Sequence, residues 1–197
     1  MPISIFGFEA LWSPWYFGFL VLITLLYFGV TIKWRHKFSG SEPLETKQAL
    51  LFVSGMALIY LLKGSPIDLL GHITLTMHMV QMALLLLLAA PLIIMGIPSY
   101  LWQAFIKLPV INPLFMFFTK PLIALLLFSL FFSVYHLPLV FDFVKQDMLI
   151  HSIVSTLLFV AALLYWWPVV NNLEGMHKFH GLKKLGYLFG LSVLMTP

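Results

Sequence analysis

Cysteine is absent from this 197-residue chain, and its absence excludes disulfides, thiolate metal sites and iron–sulfur clusters together. Any bound metal must use imidazole, thioether or carboxylate. Charge is nearly as scarce, at 9% Asp, Glu, Lys and Arg against about 25% in soluble domains. The few cations sit mostly in short loops between apolar runs, which fits membrane orientation and leaves no nucleic-acid-binding surface. No carboxylate or Lys falls well inside an apolar run, so enzyme chemistry is not expected. A basic stretch ahead of the first run is missing too, and no cleaved secretory leader is expected.

What the chain does have is apolar length. With 61% hydrophobic residues and a mean hydropathy of +1.01, it reads as an all-α, polytopic transmembrane helical bundle forming a single domain over 1–197. A helix of roughly 20 residues crosses the hydrocarbon. On that scale spans are expected at about 17–32, 48–62, 69–95, 121–140 and 148–170, with a partial sixth at 185–197. The last apolar run is about half a hydrocarbon core; it is either re-entrant or cut short, and the second is favoured. The segment 99–115, broken by Pro109 and Pro113 but carrying Trp102, Phe105 and Ile106, suits a helix in the interface.

Nine of the eleven Lys and Arg fall on one side of this arrangement: Lys33, Arg35, Lys37, Lys47, Lys107, Lys120, Lys178, Lys183 and Lys184. The positive-inside rule puts that side in the cytoplasm and the amino terminus outside. The outer rim then holds Glu9, Asp68, Asp142 and Asp147, which mildly favours cations.

Orientation sets depth. The third span carries His72 near the outer surface and His78 near the bilayer middle. With polar groups such as Thr74, Thr76 and Gln81 on two sides, it is expected to be central and packed all round. Ser129, Ser133 and His136 share one spacing in the fourth span, and His151, Ser152, Ser155 and Thr156 one arc in the fifth. Four histidines from three spans thus occupy the outer half of the membrane, where ionisable residues are costly and usually functional. Imidazole with soft thioether favours Cu(I) over hard cations. The candidate metal ligands are His78, Met82, His136 and His151, with His72, Met79, Met148 and Asp142 as accessory positions.

Three blocks carry a further reading. They are HMVQM at 78–82 followed by LLLLLAAPLIIMGIP at 84–98, then YHLPLVFD at 135–142, then LIHSIVSTLLFVAALLYWWPV at 149–169. In order and spacing they resemble the CtaG family of cytochrome c oxidase assembly factors of Gram-positive bacteria, over essentially the whole chain. The resemblance implies a multi-pass protein of the bacterial plasma membrane, needed to make active haem–copper oxidase and involved in copper handling. It also implies oxidase subunits as partners, a copper donor at the outer face, and a further span beyond residue 197. His78, His136 and His151 match the family pattern. Many relatives read HMxQH and HxxxH in the first and third blocks, where this chain has Met82 and Ser155 as the second members. A b-type haem or quinone-linked redox subunit is the alternative, since two histidines facing each other across helices ligate haem. A transporter finds no support, because no inverted repeat is evident.

Overall fold

The computed structural model describes residues 7–173 and 175–195. Every regular element among them is helical. The chain divides into two compact units, Met1–Ala104 and Phe105–Pro197.

In the first unit a short helix, α1 (Gly7–Leu11), leads into α2 (Pro14–Phe28). Pro14 opens α2 at a position where a missing N–H costs nothing. The helix continues through a wider i→i+5 turn, Gly29–Lys33, so that Pro14–Lys33 forms one 20-residue apolar rod. Next comes α3 (Thr46–Lys63), opened by a capping box between Glu45 and Gln48. Gly64 and Pro66 end it, and α4 (Pro66–Ile73) leaves at a 49° bend, with the Ser65 hydroxyl accepting from the Ile67 N–H at 3.2 Å.

The third expected span begins later than hydropathy suggests. Thr74 is extended (φ −125°, ψ 132°), so α4 with His72 is separate from α5 (Leu75–Ala83). From Leu75 the helix runs unbroken for 22 residues to Gly96, through an i→i+5 stretch at Leu84–Ala89 and then α6 (Ala90–Gly96). Pro91 explains the widened turns: it lacks an N–H and its ring crowds the carbonyl four residues back, which looser winding relieves. Helix α3 packs along this rod, and α2 packs on α3.

That packing is closest at Gly96. The Tyr27 and Phe52 rings stack at 3.8 Å, and the Tyr27 hydroxyl donates to the Gly96 carbonyl at 2.8 Å. A Cβ on Gly96 would lie 2.5 Å from the Phe52 backbone nitrogen.

The expected interfacial segment is two short helices, α7 (Ser99–Ile106) and α8 (Ile111–Phe118), bent by 114°. In the second unit, α9 (Pro121–Tyr135) is the central element and packs against α8, α11 (Met148–Val170) and α12 (Leu182–Met195). Between α9 and α11 the chain forms α10 (Pro138–Gln146), turned 75° from α9. The helix that opens the fourth expected span therefore ends at Tyr135, because the residues before Pro138 are driven out of helical geometry. Tyr165 ties three helices together: its ring stacks on Phe128 at 5.2 Å and Tyr187 at 4.9 Å, and its carbonyl accepts from the Tyr187 hydroxyl at 3.0 Å.

Three helices are long and apolar enough to cross a membrane, Pro14–Lys33, Leu75–Gly96 and Met148–Val170, or up to six if each bent pair is one span. The protein is an all-α helical membrane protein, as its composition requires. At 14 residues, α12 is shorter than a crossing, and residues 196–197 of the expected partial span lie outside the described residues.

The Gly96 contact is testable. Gly96→Ala is expected to cost about 1–3 kcal/mol through overpacking, seen as a lower midpoint in thermal unfolding of the detergent-purified protein. Gly186→Ala, where a Cβ would meet nothing within 4 Å, is expected to be neutral or stabilising by up to about 1 kcal/mol.

Candidate functional site

Within the first unit, α5 turns His78, Gln81 and Met82 onto one buried face, at 2%, 3% and 2% exposure. Their spacing of i, i+3 and i+4 puts them over adjacent turns. The opposite face is open, with Met79 at 40% and Thr74 and Thr76 exposed. This corrects the expectation of packing all round. Thr74 needs no neighbour there, because its hydroxyl donates to the Leu70 carbonyl four residues back at 3.2 Å.

Gln81 is the polar hub of this face. Its Nε2 donates to the Leu62 carbonyl at the end of α3, at 2.5 Å, and to Asp68 Oδ1 on α4, at 2.7 Å. Lys63 Nζ donates to the same carboxylate oxygen at 3.0 Å. A Cβ on Gly71 would collide with Gln81 Oε1, so glycine is what lets α4 approach the amide. His72 belongs to this outer network rather than to the His78 helix: its Nδ1 lies 2.8 Å from the Asp68 carbonyl oxygen and 3.8 Å from Oδ2. The residues after His78 thus knit α3, α4 and α5 around one charged pair.

In the second unit, His136 caps α9. Its Nδ1 lies 2.7 Å from the Phe132 carbonyl oxygen, and its ring sits 4.0 Å from that of Phe132. A carbonyl accepts only, so the proton is on Nδ1 and the lone pair of the ring is on Nε2. His151, in the first turn of α11, is buried, and Ser155 lies one turn below it on the same buried face. His136 and His151 stand at the α10 end of the α9 and α11 pair, as expected from the sequence.

The expected polar arcs, however, are split between two environments. Ser129 and Ser155 are buried, and their hydroxyls have no hydrogen-bond partner among the described residues. Ser133, Ser152 and Thr156 are exposed, and the last two donate to carbonyls four residues back at 2.8 Å. The accessory positions divide likewise. Met148 is exposed although His151 is buried, and Asp142 is exposed. Asp147 is a helix cap, its Oδ1 accepting from the Leu149 and Ile150 N–H groups at 2.8 and 3.1 Å.

The structure therefore brings together His78 with Met82 in one unit, and places His136 and His151 at one end of a helix pair in the other. Among the described residues, no group of three or more His, Asp or Glu is placed to hold a metal ion. Imidazole and thioether one turn apart offer a soft donor pair rather than a closed cage. The contribution of Gln81 is absent from the sequence-based ligand set. The signal for it was a lone amide in an apolar span, which must find a partner. Gln81→Leu is expected to destabilise the protein by about 1–3 kcal/mol, since it strips a donor from a buried carbonyl and from Asp68. Ser152→Ala is expected to stay within about 0.5 kcal/mol, and equal unfolding midpoints for the two would sink this account of the network.

Comparison with known proteins agrees with this architecture in one respect. Neither curated proteins nor solved structures give a match. The model of the cytochrome c oxidase caa3 assembly factor family (Caa3_CtaG) matches residues 25–197, a stretch that includes every histidine and both buried donor positions on α5. The all-helical, apolar architecture accords with a membrane factor, and the chain belongs to the cytochrome c oxidase caa3 assembly factor family.

Proposed function

We propose that this protein assists oxidase assembly in the bacterial plasma membrane by holding Cu(I) as cargo and passing it to an oxidase subunit, without catalysing a reaction of its own. The observation that carries this reading is the burial of His78 and Met82 together on one turn of a 22-residue apolar helix. Burying an imidazole inside a span is costly, and ionisable residues there mark sites of function. Cu(I) is soft and is served by few donors, and imidazole and thioether together suit it better than Mg²⁺ or Ca²⁺. Met82, in the place where many relatives have histidine, keeps a usable donor for Cu(I). Ser155 offers none.

An open donor pair also suits a carrier. A closed four-ligand cage retains its ion, whereas two donors leave coordination positions for an incoming ligand from the client. His136, with its lone pair on Nε2, and His151 are a separate imidazole pair within the second unit, and the acidic residues Asp68, Asp142 and Asp147 supply attraction for the cation.

The test is Cu(I) affinity of the full-length, detergent-purified protein, by chelator competition under anaerobic reducing conditions. One Cu(I) per chain is expected. His78→Ala and Met82→Ala should each weaken binding at least about tenfold, equivalent to about 1.4 kcal/mol, while Met79→Ala leaves it unchanged. Absence of binding, or binding indifferent to all three, would leave the histidines as helix-pinning groups in a copper-free scaffold. A red protein with a Soret band would point instead to haem.

A further inference from the structure

The connection between α9 and α11 does more than join them. Helix α9 packs along α11, while α10 turns 75° from α9 and packs across the end of both. If the apolar 23-residue α11 crosses the bilayer, α10 runs close to the membrane plane. Its two sides differ. Val144 is buried against the protein, and the Lys145 ammonium is held 4.5 Å from the Phe141 ring. Outward, Leu139 is 87% exposed and Phe143, four residues on, is 62% exposed. Asp142 and Gln146 are also exposed, and Asp142 lies about 60° round from Leu139 on the side away from Phe143. Asp142 thus marks the polar edge of the exposed face and Phe143 the apolar edge, with Leu139 and Gln146 between them.

We infer that α10 is an in-plane anchor in the outer membrane interface, with Leu139 and Phe143 set among the acyl chains and Asp142 at the waterline. Lipid is the occupant because the exposed pair adjoins other apolar side chains left exposed on two helices of a membrane protein. Leu130 and Val134 on α9, and Ile153 and Leu157 on α11, are exposed along the two helices that α10 joins. Burial of the Leu139 and Phe143 side chains among acyl chains holds this nine-residue helix at a fixed depth. The anchor has a consequence for the histidines. His136 lies two residues before α10 and His151 five after it, so both imidazoles are held at the boundary between hydrocarbon and water. This does not depend on copper.

The absence of cysteine from the chain makes the test direct. Single substitutions Leu139→Cys, Asp142→Cys, Phe143→Cys and Gln146→Cys are labelled with a nitroxide in the full-length protein, in vesicles of phosphatidylcholine and phosphatidylglycerol. Collision with oxygen, which partitions into acyl chains, is compared with collision with a water-soluble nickel chelate. The expected result is a severalfold higher oxygen-to-nickel ratio at 139 and 143 than at 142, with 146, which lies between 139 and 142 on the helix, intermediate. Nickel access at all four positions would put α10 in water and overturn the inference. Oxygen access alone at all four would make α10 part of a re-entrant crossing, and shielding from both probes at 139 and 143 would mean that protein covers the face. Either result also overturns it.

Discussion

Inside hydrocarbon a polar group cannot borrow water, and each must find a partner within the protein. The structure meets that constraint in two ways, with the buried hydroxyls of Ser129 and Ser155 as exceptions among the described residues. Hydroxyls, whether buried as at Thr31 and Thr119 or exposed as at Ser152 and Thr156, turn back on their own backbone: Thr24 to the Leu20 carbonyl at 2.8 Å, Thr31 to Tyr27 at 2.7 Å, Thr119 to Phe115 at 2.6 Å, and Ser152 and Thr156 likewise. Such residues cost little at an exposed position and say nothing about neighbours. Longer polar side chains reach across to another helix, and these define the tertiary structure. Gln81 joins α5 to α3 and α4, Tyr27 joins α2 to α6, and Tyr187 joins α12 to α11.

This division explains what the sequence reveals and what it conceals. Helices at Pro14–Lys33, Thr46–Lys63 and Met148–Val170 were legible because apolar runs end at charged, proline or aromatic punctuation. His78, Gln81 and Met82 were legible as a shared face, since large polar groups in a span must be buried. Serine and threonine were not. Ser129, Ser133 and His136 have the spacing of one face, yet Ser133 is exposed and Ser129 buried, because a small hydroxyl is too weak a signal to fix which way a helix faces. Helix breaks were concealed for a different reason. Hydropathy averages over many residues, and the single extended residue at Thr74 and the turn ahead of Pro138 are apolar enough to vanish in the average.

Prolines then act as the architectural signals of an otherwise uniform composition. Pro66, Pro121 and Pro138 each open a helix, where the missing N–H is free of cost. Pro91 and Pro168 instead fall within helices. Pro91 follows a stretch of widened winding in the rod that carries His78 and Met82. The Pro168 carbonyl is taken up by the Phe179 N–H at 2.8 Å, which folds the following loop back onto the end of α11. The same residue type therefore starts helices and loosens one, according to where its lost donor falls, while the Pro168 carbonyl holds the loop because it lies in the last turn of α11.

The distribution of donors bears on how an assembly factor of this kind can act on copper. A resident metal site in a cysteine-free protein would be expected to gather three or four imidazoles and carboxylates, and no such group is present among the described residues. What is present is an imidazole and thioether pair on α5 and two imidazoles near the ends of α9 and α11. Asp147 caps α11, and Asp68 is bound by Lys63 and Gln81, while Asp142 is exposed. The buried pair on α5 is therefore made of soft and borderline donors, which selects against hard ions. On the proposed reading that selection is the useful property: the protein discriminates by donor type and releases by low coordination, and the oxidase supplies the closed site.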